Sequence, residues 1–187
     1  MPEASVDATL LIATSWQALK RVRAGDQRTE ICNCSIVIVF AAFFIEANLN
    51  HIIHSMNADA AMRRFLGLRH PGLQDKLAWL YNEHVARAKA RTRPELYDGG
   101  IEQKLQRKFP GFLRIYRFRN DVSHGTIDTS AAKPENAERL RLQAKAIVDE
   151  LFEVARKAGY PLVRSIPYEV AITSRVTGAR RNRRQLT

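Results

Sequence analysis

The sequence predicts an all-α fold, a helical bundle followed by a basic C-terminal extension. Glycine and proline are few and cluster at a handful of positions, and helix-forming residues dominate between them. Apolar residues recur at helical spacing in most of the segments bounded in this way. The chain has 187 residues, of which 45% are hydrophobic and 26% charged, which is enough for one globular domain with a substantial core.

The N-terminal part of the chain predicts two helices. Residues 6–23 carry apolar side chains at helical spacing, and Gly25 ends this segment. Residues 29–56 form a long second helix that is apolar nearly all round in its first half, as expected of a central helix surrounded by others. Its most apolar run, residues 36–45, is about half as long as a membrane-spanning helix, so we expect a buried core helix and no membrane association.

Two helices are predicted next. Residues 58–66 form a short helix, for which Asn57 is the expected N-cap. Residues 73–91 form a longer amphipathic helix. The expected inner positions of that helix are Leu77, Leu80, Val85 and Ala88.

The last three predicted helices follow a loop that ends at Gly100. Residues 101–109 form a short helix, and Pro110 opens the next one at its first turn, where proline is tolerated. That helix runs to about Ser123, and Gly125 provides its C-terminal cap. Residues 135–158 form the final helix. Its apolar face consists of Leu140, Ala144, Ile147, Leu151 and Val154.

Residues 161–187 differ in character from the helical domain, which we place at residues 1–160. Alternating apolar residues between Ile166 and Ile172 could pair as a strand or cover another surface. No acidic residue follows Glu169, so the end of the chain is a basic tail. Its candidate RNA-binding residues are Arg180, Arg181, Arg183 and Arg184.

The net charge and the two cysteines limit which partners and which cellular location are expected. A net charge of +11 favours a polyanionic partner, with nucleic acid first and an anionic membrane surface second. Cys32 and Cys34 are too close for an ordinary disulfide, so we expect both to be reduced, as in a cytosolic protein. The first residues lack the basic and apolar regions of a signal peptide, which also favours the cytoplasm.

The most basic segment, residues 104–119, contains no acid and has interleaved aromatic residues. We predict contacts with RNA phosphates there, because arginine and lysine bind phosphate oxygens. The cationic residues proposed for this role are Lys104, Arg107, Lys108, Arg114 and Arg117. The aromatic residues could stack on bases, but helical spacing assigns most of them to the core.

Helical spacing also places Arg119 on the apolar side of its helix, beside Phe112 and Ile115. An unpaired charge in that position is costly. We therefore expect Arg119 to face a cleft or an interface, or to meet a partner such as Glu46 or Asp121.

The segment from Arg119 to Gly125 combines a permanent cation with a side chain that titrates near neutral pH. Arg119 can hold a phosphate, and His124 can accept or donate a proton. On an unbroken helix these two residues would point about 140° apart, so the helix must end or bend between them for both to reach one substrate. The alternative is an ordinary helix C-terminus, where histidine is favoured by the helix dipole.

These residues resemble the signature of the HEPN superfamily (higher eukaryotes and prokaryotes nucleotide-binding). Its motif is an arginine, then usually a polar residue, then a histidine after a short spacer. Arg119, Asn120 and His124 match it with four intervening residues. The long helix with Glu46 is similar to the central helix of the family, and the resemblance covers about residues 29–158.

The resemblance implies a helical bundle that dimerises and brings two motifs together at a cleft. Many members are metal-independent endoribonucleases of toxin–antitoxin, phage-defence or RNA-processing systems. By this likeness His124 would be the general acid or base, and Arg119 would hold the scissile phosphate. Asn120 would orient His124 or a phosphate oxygen. The products would carry a 2′,3′-cyclic phosphate, and an antitoxin or nucleotidyltransferase-type protein would be a possible partner. Asp121 would pair with Arg119 or adjoin the phosphate site.

Polar residues near the end of the long helix are candidates for supporting this site. Glu46, Asn50 and His54 lie within two to three helical turns and could line the cleft. His51 and His54 together could bind zinc, but a third ligand is not evident, so we expect neither a metal nor a cofactor. There is no glycine-rich phosphate loop and no partner that would make Ser123 a nucleophile, so neither an NTPase nor a serine hydrolase is supported.

Two other functions remain open. The chain could be a non-catalytic RNA-binding or partner-binding module that uses its basic surface and tail. It could also be a helical adaptor whose basic surface meets an acidic protein such as an antitoxin.

Overall fold

The computed structural model describes residues 8–22, 26–88, 101–126 and 129–160. These residues form seven α-helices and no strand, which confirms the predicted all-α class. The helices are α1 (Ala8–Val22), α2 (Gln27–Ser55), α3 (Asp59–Leu66), α4 (Leu73–Ala88), α5 (Ile101–Lys108), α6 (Phe112–Ser123) and α7 (Pro134–Lys157). The predicted strand and basic tail, residues 161–187, lie outside the described residues.

Helix α2 is the central element, as its composition predicts. Asp26 caps its N-terminus by accepting a hydrogen bond from the Thr29 N–H at 2.8 Å, which lowers the pKa of the Asp26 carboxyl. Helices α1, α6 and α7 pack around α2, and α4 contacts it as well. The buried apolar residues of α2 span five turns, from Cys34 to Ile53, so this helix contributes to most of the core.

Helices α2 and α7 lie side by side and run in the same direction. The Cys34 thiol on α2 lies close enough to the Glu135 carboxylate at the start of α7 for that charge to help raise its pKa. Near the other end of both helices, the His51 ring lies 6.5 Å from the Phe152 ring. The predicted inner face of α7 is confirmed, because all five of its residues are at most 1% exposed.

The ends of α6 are set by two glycines. Pro110 does not open the helix as predicted; it lies in the preceding turn, and Gly111 with φ +86° is the N-cap. At the other end His124 is the C-cap and Gly125 follows with φ +75°. The N–H of Gly125 bonds the carbonyl of Val122 at 3.1 Å, and that of Thr126 bonds Asp121 at 2.8 Å. This is a Schellman motif, so the prediction that Gly125 ends the helix is confirmed.

The prediction for Asn57 is wrong. Ala58 holds the N-cap position of α3 and makes no side-chain cap, whereas Asn57 adopts a left-handed conformation with φ +52° directly after α2. Asparagine tolerates this conformation better than most residues, so here it helps to reverse the chain rather than to start the next helix. On α4 the predicted inner residues Leu77 and Leu80 are buried; the side chains of Val85 and Ala88 lie outside the described set.

By length and composition alone α2 could also cross a membrane. Over its most apolar stretch 56% of the residues are buried inside the structure. A central core helix has these same properties, so this finding is weak evidence for a membrane span.

Candidate functional site

The charge of Arg119 is balanced from across the bundle. Its Nη2 donates to Glu46 Oε2 on α2 at 3.1 Å, which confirms the predicted pairing with one of the two candidate carboxylates. The two side chains are 27% and 25% exposed, so the ion pair is largely buried with one edge open to solvent. A charge-assisted hydrogen bond in such a setting fixes the guanidinium against α2.

A second cation reaches the same carboxylate. Lys76 on α4 lies 4.0 Å from Glu46 Oε1 and donates to Asn50 Oδ1 at 2.8 Å. Its side chain is only 17% exposed. Glu46 therefore stands between two cations from two other helices, and the cluster of Glu46, Lys76 and Arg119 carries a net charge of +1 when all three are ionised.

Two further groups hold the Arg119 guanidinium. Its Nη1 donates to Asn120 Oδ1 at 3.0 Å, so the amide oxygen of Asn120 faces Arg119 rather than His124. The guanidinium carbon also lies 6.0 Å from the centre of the Phe43 ring, at the outer limit of a cation–π contact. Arg119 thus sits at a junction of α2, α4 and α6, with its neighbours fixing its position.

His124 lies at the end of α6, beyond the last helical residue. Its backbone has φ −94° and ψ 8°, and its N–H bonds the carbonyls of Asn120 and Asp121 at 3.0 and 3.1 Å. Helix α6 thus ends at Ser123, one residue before His124, and the His124 N–H still makes the helical bond to the carbonyl of Asn120. The imidazole is exposed and makes no hydrogen bond or ion pair with a described residue.

The structure separates the remaining predicted site residues. Asp121 is exposed and does not pair with Arg119, whose carboxylate partner is Glu46. His54 is 87% exposed and its Nδ1 lies 3.5 Å from Asp59 Oδ2 at the start of α3. Three supporting residues were predicted on α2. Glu46 and Asn50 belong to the network of Arg119, Glu46, Lys76 and Asn50, whereas the His54 imidazole lies next to Asp59 on α3.

The basic residues of the 104–119 segment do not share one face with Arg119. Arg114 and Arg117 lie on the outer face of α6, about 140° and about 160° around the helix from Arg119. Lys108 is used internally, because its ammonium group pairs with Glu150 on α7. Lys104 and Arg107 on α5 are exposed, whereas the four arginines predicted in the tail lie outside the described residues.

The aromatic residues of the same segment belong to the core, as helical spacing predicts. Phe109, Phe112 and Phe118 are at most 3% exposed, and the Tyr116 ring stacks on Phe112 with centroids 5.9 Å apart. None of the three phenylalanine rings is available for stacking on bases.

Lys76 is a member of the network that the sequence prediction missed. A usable signal was present, because Leu73, Lys76, Leu77 and Leu80 follow the spacing of an inward-facing helical stripe. A lysine in that stripe, like the arginine at 119, has to meet an acceptor or a carboxylate. The requirement that places Arg119 beside a carboxylate applies equally to Lys76.

Within the described residues there is no group of three or more His, Cys, Asp or Glu side chains placed to hold a metal ion. Comparison of the chain with protein-family models, with curated proteins and with solved structures gave no match. The site is therefore interpreted from its own geometry.

Proposed function

We propose that this chain is a metal-independent endoribonuclease that uses Arg119 and His124, with a cleft between two copies as its active site. The observation that carries the proposal is the end of α6. There a guanidinium held by Glu46 and Asn120 is followed, just beyond the helix, by an exposed imidazole. RNA cleavage without a metal needs a cation that binds the phosphate and a group that transfers protons. In this proposal Arg119 is the cation and His124 is the proton-transfer group.

A phosphate at the end of α6 would depend on the charge of Arg119 and not on the helix end itself. A helix C-terminus normally repels anions, because its last carbonyl groups are unsatisfied. Here the carbonyls of Asp121 and Val122 accept bonds from the Schellman motif, and that of Arg119 accepts one from the Ser123 hydroxyl at 2.8 Å. The Schellman bonds satisfy two terminal carbonyls, but the helix dipole remains, so Arg119 has to supply the attraction for a phosphate.

In the proposed reaction His124 takes the proton of the ribose 2′-hydroxyl, and the resulting oxygen attacks the adjacent phosphorus. The 5′-oxygen of the next nucleotide leaves and receives a proton, either from the imidazolium or from His124 of a second copy. Arg119 neutralises the charge that develops on the phosphoryl oxygens. The products are a 2′,3′-cyclic phosphate and a 5′-hydroxyl.

Dimerisation is part of the proposal, and an apolar strip on α2 supports it. The strip consists of Ile36, Phe40 and Phe43, at spacings of four and three residues. Ile36 and Phe43 are 39% and 38% exposed, and Phe40 packs edge-on against Phe43 at 6.0 Å. Since Phe43 borders Arg119, two copies that bury their strips against each other would bring their Arg119 sites towards one interface.

The proposal includes a cytoplasmic location. RNA is the proposed substrate, and an antitoxin or a nucleotidyltransferase-type protein is the proposed protein partner. The net charge of +11 supports an anionic partner in each case.

The test is cleavage of labelled RNA in the presence of EDTA, with product ends mapped. Wild-type protein is compared with His124→Ala and with His70→Ala, a matched removal of another exposed histidine. We expect cyclic-phosphate ends from the wild type and from His70→Ala, and none from His124→Ala. Cleavage by His124→Ala at the wild-type rate would refute the assignment.

A non-catalytic RNA-binding module is the second candidate, and one observation favours it. Arg119 already has a carboxylate partner, while Arg114 on the outer face makes no hydrogen bond or ion pair with a described residue. In that case RNA binding would be salt-sensitive, would survive His124→Ala and would weaken when residues 180–184 are removed. Unchanged affinity after that deletion would exclude a binding role for the tail.

A further inference from the structure

A groove of about 490 Å³ lies between α5, α6 and the start of α7, on the side of α6 away from Arg119. Arg114 and Arg117 lie along it, and Leu113 and Ala131 supply partly exposed apolar surface. Its volume falls within the usual range for small-molecule sites, about 300–1,000 Å³, and exceeds what a bare phosphate would fill. The described residues that line it include no acid.

The two arginines of this groove are available for a ligand. Arg114 is exposed and makes no hydrogen bond or ion pair with a residue that the structure describes. Among the described residues, Arg117 forms one ion pair, with Glu102 at 3.5 Å, in which the two side chains are 67% and 54% exposed. An exposed ion pair of that length contributes little, so a ligand phosphate can compete for Arg117.

Other groups at the groove can donate hydrogen bonds. Asn136 lies in the first turn of the 24-residue helix α7, whose N-terminal N–H groups and dipole favour an anion. Its Oδ1 accepts from Arg139 at 2.7 Å, which leaves its amide N–H groups to face a ligand. Gln106 on α5 adds a second carboxamide, and such groups pair with the edges of nucleobases.

We propose that this groove, lined by Arg114 and Arg117, binds a nucleoside phosphate, taken either as a free nucleotide or as one nucleotide of an RNA strand. The arginines hold the phosphate, the partly exposed apolar surface of Leu113 and Ala131 covers one face of the nucleoside, and the carboxamides of Gln106 and Asn136 meet polar edges. The site is separate from the Arg119–Glu46 pair on the other side of α6, so it does not depend on the proposed nuclease activity.

The experiment is calorimetric titration of the full chain with AMP, inorganic phosphate, adenosine and a six-residue oligoadenylate. The groove variant is Arg114→Gln with Arg117→Gln. The matched control is Arg63→Gln with Arg64→Gln, which removes the same charge from two exposed positions of α3. A second variant, Ala131→Leu, narrows the groove without changing its charge.

We expect AMP to bind at least about tenfold more tightly than phosphate or adenosine. Only AMP has both a phosphate for the arginines and a nucleoside for the apolar surface. The groove variant should lose AMP affinity by about tenfold or more, and Ala131→Leu should weaken AMP more than phosphate. The control should keep wild-type affinity. Displacement of AMP by the oligoadenylate would identify an RNA strand as the natural ligand, and failure to displace it would identify a free nucleotide.

Three results would overturn the proposal. The first is equal AMP affinity in the wild type and the groove variant, and the second is equal loss in the control, which would indicate general charge attraction. The third is a wild-type protein that binds neither AMP nor the oligoadenylate. None of these depends on cleavage, so failure of the groove and failure of the nuclease are separate outcomes.

Discussion

Replacing Glu46 by Gln should lower the stability of the chain and raise its affinity for phosphate. The change keeps the shape of the side chain and one oxygen that can accept from Arg119, but it removes the negative charge between Arg119 and Lys76. Both cations then lack a counter-charge in a largely buried place. A bound phosphate would supply that counter-charge, so the two effects should have opposite signs.

The loss of stability follows from the burial of the pair. Exposed ion pairs contribute about 0–1 kcal/mol, and breaking a fully buried pair costs about 3–5 kcal/mol. The Arg119–Glu46 pair is about one-quarter exposed, and glutamine retains a hydrogen-bond acceptor. An intermediate cost of about 1–2 kcal/mol is therefore expected, equivalent to about 2–8 °C in Tm for a chain of this size.

The gain in phosphate affinity follows from the removal of repulsion. Two unit charges about 5 Å apart repel by about 0.8 kcal/mol in water and by about 3 kcal/mol at an effective dielectric constant of about 20. A value between these limits corresponds to about tenfold tighter binding. The matched control is Glu153→Gln, which removes the same charge from the partner of the exposed Arg156, away from both proposed sites.

The assays are urea unfolding and a titration with non-cleavable RNA at several salt concentrations. The titration uses the His124→Ala background, so that no cleavage intervenes. If Glu46→Gln weakened RNA binding, Glu46 would be a support for the phosphate-binding geometry of Arg119 rather than a competitor. Unchanged RNA affinity together with unchanged stability would show that the ion pair has no energetic role.

Two further predictions test the packing around the site. The Cys34 thiol is buried and lies near carboxylates, which raises its pKa to about 11, so the reactive thiolate form is negligible at pH 8. A thiol reagent at pH 8 should therefore modify only the exposed Cys32 in the native chain, and both cysteines in denaturant; rapid native labelling of Cys34 would contradict its burial. Gly125→Ala should lower the free energy of unfolding by about 1–2 kcal/mol because a φ of +75° is unfavourable for a residue with a side chain. No steric cost is added, since no described atom lies within 4 Å of the new methyl group. Gly111→Ala should lower the free energy of unfolding by a similar amount, because its φ of +86° is equally unfavourable for a side chain and the described atoms near the added methyl group belong to the flexible end of Gln143, which can move aside; a clearly larger loss in urea unfolding would show that Gln143 is held in place.

The long helices could be predicted from sequence because burial imposes a clear period on them. Helix α7 shows one apolar stripe, and every member of that stripe is buried. Helix α2 is apolar nearly all round because α1, α6 and α7 pack on it and α4 contacts it as well. Helix ends were predicted less well, since residues that favour them act in more than one way. Asn57 could cap a helix or adopt a left-handed turn, and only the path of the chain decides between them.

The candidate site could likewise be predicted only in part. The partner of Arg119 could be anticipated, because a cation on an apolar face has to meet a carboxylate and few are available. The pairing of Lys76 on α4 with Glu46 could not be predicted from residue spacing. The two residues are thirty positions apart in the sequence and meet only because the helices of the bundle pack together. Likewise, the basic segment reads as one cluster along the sequence, but the helical period distributes its charges around α6.

That distribution determines how α6 can take part in binding. Arg119 faces inwards, and its charge is largely balanced by Glu46 in the free chain, so it contributes little to long-range attraction. Arg114 and Arg117 face outwards, where their charges can attract a polyanion before any close contact forms. One short helix therefore carries two kinds of cation. The outer pair is suited to capturing a phosphate-bearing ligand, and the inner one to holding a phosphate only where it can displace or share the Glu46 carboxylate.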